Sequence, residues 1–98
     1  MYKQQITDFI YAHKSDMTEL LKRLIAIPSI KGVAEENKPY GKAVDDCLCL
    51  ARKEAENLGL TSDNFENRMS LINLNNEKTN LGILCHLDVV PVNEEKWT

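Results

Sequence analysis

The chain is 98 residues long, enough for one small domain with a core of its own. Hydrophobic residues make up 43% and charged residues 28%, the mix of a folded globular protein rather than a disordered one. The 12 basic and 15 acidic residues are dispersed and leave a net charge of −3, so no basic patch speaks for nucleic acid, and no apolar run reaches the ~18 residues of a membrane span.

The opening stretch, Met1 to Asp8, lacks the apolar segment of a secretory signal, which points to the cytoplasm. Ile6, Phe9, Ile10, His13, Met17, Leu20, Leu21 and Leu24 then recur at steps of three and four. That spacing predicts a helix over residues 6–27 with one apolar face, with a break near Ser15 as an option because Asp16 can start a new helix. Pro28 ends the pattern, since the residue before proline avoids helical geometry. His13 lies on the apolar stripe and reads as a packed, partly exposed histidine rather than a ligand.

Residues 28–41 read as a loop. Val44, Leu48, Ala51, Ala55 and Leu58 step by four and three, predicting a second helix over 42–58. Gly59 follows, the residue expected just past a helix end. Three strands are expected next: 60–65, 70–74 and 81–85, with a polar turn over 75–80. The last is a nearly continuous apolar run, as in a strand buried on both faces of a sheet. The fold class predicted is α/β, with two N-terminal helices packed on a partial mixed β-sheet.

The three cysteines, Cys47, Cys49 and Cys85, make an odd number and argue against a disulfide framework. Cys47 and Cys49 are two apart on a helix and point to different sides, so they form neither a metal pair nor a disulfide. Reduced thiols in a cytosolic protein are the expectation. Cys85, on the predicted strand, is expected to pack in the core.

The residues that bear chemistry lie where the last predicted strand ends, at His86 and Asp88. Strand ends in α/β folds are where ligands gather. Histidine is a common zinc ligand, and a carboxylate often fixes the ring by accepting its other N–H. Residues two apart in extended chain share a face, so His86 and Asp88 can serve one site. From the residues alone two readings stand: a metal ligand with its orienting acid, or a plain structural pair with Asp88 capping nearby amides. Zinc takes three or four protein ligands, and the other histidine sits on the first helix.

The segment His86-Leu87-Asp88-Val89-Val90-Pro91, followed by Trp97, resembles the first metal motif of the dinuclear zinc aminoacylase and carboxypeptidase superfamily. Upstream, Leu24-Ile25-Ala26-Ile27-Pro28-Ser29-Ile30 resembles that family's end of the first helix. Lys38-Pro39-Tyr40-Gly41-Lys42 and Glu56-Asn57-Leu58-Gly59-Leu60 are similar to the PepV-like (Xaa-His) dipeptidase branch. The resemblance runs in order over nearly the whole chain. Two departures occur: an acidic stretch, Val92 to Lys96, replaces a glycine-containing turn before the tryptophan, and Cys85 replaces a small residue.

The resemblance implies that residues 1–98 are the N-terminal part of a zinc peptidase catalytic domain, truncated, with the lid or dimerisation domain absent. It implies that His86 is a ligand to one of two Zn2+ ions and that Asp88 orients it. The bridging aspartate, the general-base glutamate with its neighbouring ligand glutamate, a further carboxylate and a distant histidine lie beyond this chain in the family. The implied activity is metal-dependent hydrolysis of dipeptides, with an aminoacylase or N-acyl amino acid deacylase as the alternative. The chain alone is expected to be inactive, and a non-catalytic binding or folding module is the reading from another class. The expected partners are a dipeptide or short N-acyl amino acid, with no nucleic acid and no membrane, and the chain is expected to self-associate through an exposed sheet edge.

Overall fold

A computed structural model gives the fold and describes residues 2–97. The first amphipathic stretch is two helices, α1 (Lys3–Ala12) and α2 (Lys14–Ile25), and the break falls at His13 rather than near Ser15. There the backbone tightens: the His13 N–H is shared between the carbonyls of Phe9 at 3.1 Å and Ile10 at 3.2 Å. The imidazole stacks on Phe9, with ring centroids 4.0 Å apart, and its Nδ1 lies 2.9 Å from the Phe9 carbonyl. His13 is thus half-buried and spent on local packing. α2 closes at Ile25, two residues before the predicted end, because Pro28 bars helical geometry at Ile27.

α3 (Lys42–Asn57) packs against both α2 and the sheet. It carries the buried Cys47 and Ala55. An ion pair between Arg23 and Glu54, at 3.0 Å, ties α2 to it. Its C-terminus closes as the sequence predicts: Gly59 has φ +84°, the Gly59 N–H donates to Glu56, and the Leu60 N–H reaches back to Ala55 at 3.0 Å. These paired bonds satisfy carbonyls that a helix end leaves free, and they need a left-handed residue at Gly59. At the other end Gly41 (φ +91°) touches Gly32, where a Cβ would stand 2.9 Å from the Gly32 Cα. The close crossing of the 28–41 loop over itself explains a glycine there.

Two of the three expected strands form. β1 (Thr61–Phe65) and β2 (Met69–Asn73) pair antiparallel, with Ser62 opposite Ile72 and Asn64 opposite Ser70. Glu66 and Asn67 take positive φ in the turn, and the Asn64 side chain braces it by accepting from the Asn67 N–H. The fold is mixed α and β, with three helices and a two-stranded antiparallel sheet.

The third expected strand, 81–85, is overturned. The segment has no strand assignment, and Leu81, Ile83 and Leu84 are 78%, 84% and 97% exposed. An apolar run becomes a buried strand only beside a neighbour that supplies ladder bonds, and among the described residues none lies alongside it. Cys85 is therefore exposed, not core. Among the described residues parallel pairing is limited to one bridge, Ile30 with Val89, and the two-stranded sheet is antiparallel. The accessible surface is 8801 Å², against about 5,700 Å² for a closed monomer of this mass. The radius of gyration is 16.2 Å, against about 12.6 Å for a compact domain of this length.

Candidate functional site

His86 and Asp88 sit on the extended segment that follows the exposed apolar run. The His86 Nδ1 lies 2.9 Å from the backbone carbonyl of Asp88 and 3.4 Å from its carboxylate Oδ1. A carbonyl oxygen only accepts, so the hydrogen bond at 2.9 Å requires the proton on Nδ1. Nε2 is then the nitrogen with the free lone pair, on a side chain that is 82% exposed. The structure brings together the two residues singled out from sequence, with the main chain of Asp88 nearer to the ring than its side chain.

What holds this segment in place is Ser29, which sequence reading left as an ordinary loop residue. Ser29 is 2% exposed, and no other polar side chain is as buried among the described residues. Its Oγ donates to the carbonyl of Leu87 at 2.8 Å, and its own carbonyl accepts from the Val89 N–H at 3.0 Å. The Ile30–Val89 bridge continues the contact. Pro28 places Ser29 there by ending α2, and short bonds from the Ser29 N–H to Ile27 and from the Ile30 N–H to Pro28 shape the turn. The available signal in the sequence is slight: a small hydroxyl residue between Pro28 and Ile30, in an otherwise apolar setting.

The neighbouring groups add little to the site. Asn93 caps the short 3-10 helix Glu94–Lys96 through its side-chain oxygen, and Trp97 beyond it is exposed. Among the described residues no three His, Cys, Asp or Glu side chains cluster in a metal-binding arrangement. The fit to a zinc ion is that of one donor, His86, with a carboxylate beside it; a catalytic zinc takes three protein ligands. No helix among the described residues is long and apolar enough to cross a membrane.

No protein-family model matches the chain, and no solved structure matches it. A curated relative does match: over 89 residues the chain is 35% identical to the Beta-Ala-Xaa dipeptidase of Lactobacillus delbrueckii subsp. lactis. The match takes in 89% of this chain and 19% of the relative, so the chain spans about a fifth of the length of the protein it resembles.

Proposed function

We propose that this chain is part of the catalytic domain of a dinuclear zinc dipeptidase, and that it contributes His86 as one metal ligand. The observation that carries the reading is the 35% identity to a dipeptidase over 89% of the chain. The geometry supports it: the Nδ1 proton is held by Asp88, which leaves Nε2 for a metal. When bound, the metal pair supplies a water of lowered pKa and polarises the peptide carbonyl. This chain's own part is narrower. His86 offers one nitrogen, and Asp88 orients its ring.

The substrate is a dipeptide, with β-alanyl dipeptides first among those to try, and the remaining ligands and the general base come from polypeptide outside these 98 residues. By itself the chain is inactive in this reading, because one imidazole does not hold two metals. An aminoacylase or deacylase shares the same metal chemistry and differs in the substrates accepted.

The test is made in the complete polypeptide that contains this sequence, assayed against β-alanyl and α-dipeptides and N-acyl amino acids, with zinc content measured in parallel. His86→Ala is expected to abolish hydrolysis and lower zinc content. Asp88→Asn keeps the main-chain acceptor at 2.9 Å and loses only the charge, so it is expected to retain metal and to cost about 10-fold in rate, the low end for groups that support a ligand. Normal zinc content in His86→Ala would overturn the ligand assignment. Hydrolysis confined to N-acyl amino acids would replace dipeptidase with aminoacylase.

A further inference from the structure

We infer that Ser29 is a positioning residue for His86: by clamping the two peptide planes that flank Asp88, it sets the imidazole tautomer. This rests on the reading of His86 as a ligand, and its physical content can be tested without metal.

The argument follows from the planarity of the peptide bond. The Leu87 carbonyl belongs to the peptide plane before the Asp88 Cα, and the Val89 N–H to the plane after it. Ser29 holds one group of each, through Oγ at 2.8 Å and through its carbonyl at 3.0 Å. With one group of each plane held, φ and ψ of Asp88 are both restrained. In a trans peptide the N–H and C=O point in opposite directions. The Val89 N–H aims at Ser29, so the Asp88 carbonyl in the same plane aims away from it, and it meets the His86 Nδ1 at 2.9 Å. The residues being bridged are 58 positions apart in sequence, so the loop that follows α2 orients the ring of a histidine on a distant segment. The burial of Ser29 matters because a clamp shielded from water does not trade its partner for solvent.

The alternative is that Ser29 only helps the fold cohere. The two roles separate in the imidazole signals. The chain has two histidines, and His13, packed on Phe9, serves as an internal reference. The metal-free chain, labelled with 15N in its histidine rings, is observed by two-bond 1H–15N correlation at a pH where both rings are neutral. His86 is expected to show the Nδ1–H form. Ser29→Ala keeps the main-chain bond to the Val89 N–H and releases the Leu87 plane, so the Nδ1–H form is expected to lose population to the Nε2–H form preferred by free histidine, with His13 and the α3 amides unchanged and faster exchange of the Val89 amide. Ser29→Thr, which keeps the hydroxyl, is expected to restore the Nδ1–H form. Persistence of the Nδ1–H form in Ser29→Ala would overturn the inference. So would a shift of His86 accompanied by loss of the α3 signals, which marks a general packing role, or a failure of Ser29→Thr to restore the pattern. Normal zinc content in His86→Ala overturns the ligand reading and leaves the Ser29 result standing; an unmoved His86 ring in Ser29→Ala does the reverse.

Discussion

At the scale of single residues, the three thiols report on packing. All are free: Cys47 is 1% exposed on the inner face of α3, whereas Cys49 and Cys85 reach solvent. Burial, reinforced by Asp45 with its carboxylate 3.9 Å from the sulfur, pushes the Cys49 thiol above its usual pKa. The thiolate is the species that reacts, so a raised pKa slows alkylation at neutral pH. Native-state labelling followed by mass spectrometry is expected to find Cys85 modified first, then Cys49, with Cys47 protected. Asp45→Asn should quicken Cys49. Labelling of Cys47 as fast as Cys85 would mean that α3 does not pack as described.

At the scale of elements, two glycines flank α3 for different reasons. Gly59 needs only its positive φ; no atom lies within 4 Å of where a Cβ would stand. Gly59→Ala is therefore expected to cost about 1–2 kcal/mol, the penalty of a left-handed conformation for an L-residue. Gly41 shares the positive φ and adds a clash with the Gly32 backbone, which has no flexible side chain to move aside. Gly41→Ala is expected to cost more than Gly59→Ala, and urea titrations of the two variants under the same conditions check the order. Equal midpoints would mean that the 28–41 loop yields freely and does not hold the start of α3.

At the scale of the whole molecule, about 3,100 Å² of surface is exposed beyond that of a closed monomer of this mass. Much of it is apolar: the stripe of Ile10, Met17 and Leu21 on α1 and α2, and the run Leu81, Ile83 and Leu84. A standard protein interface takes about 800 Å² from each partner, so the excess is more than enough to supply one. Monomers rarely leave apolar patches of this extent open. Self-association of the isolated chain is the expected outcome, seen as a mass by light scattering that falls on dilution. Replacing Ile83 and Leu84 with lysine is expected to shift the equilibrium towards monomer. A strictly monomeric chain at high concentration, with slowly exchanging amides at 81–86, would show that a core closes there after all.

Helix positions and their stops were legible in the sequence because they rest on local physics. The three-and-four spacing of apolar residues drew α2 and α3 to within two residues, Pro28 and Gly59 marked their ends, and the expected strands 60–65 and 70–74 match the two hairpin strands to within one residue. The pairing of His86 with Asp88 was legible too, since neighbours in extended chain need no tertiary contact to meet. The break at His13 was placed two residues off, because a stacked ring and a shared N–H decided it. The strand at 81–85 and the burial of Cys85 were not decided by hydrophobicity, because a strand exists only with a partner, and among the described residues none lies there. Ser29 belongs to the same class: its role depends on a contact 58 residues away, which no local pattern encodes. Local periodicity thus determined the elements and the chemical pair, while tertiary structure alone decided which apolar run stays uncovered and which serine holds the histidine's support, since both depend on what a segment meets across the fold.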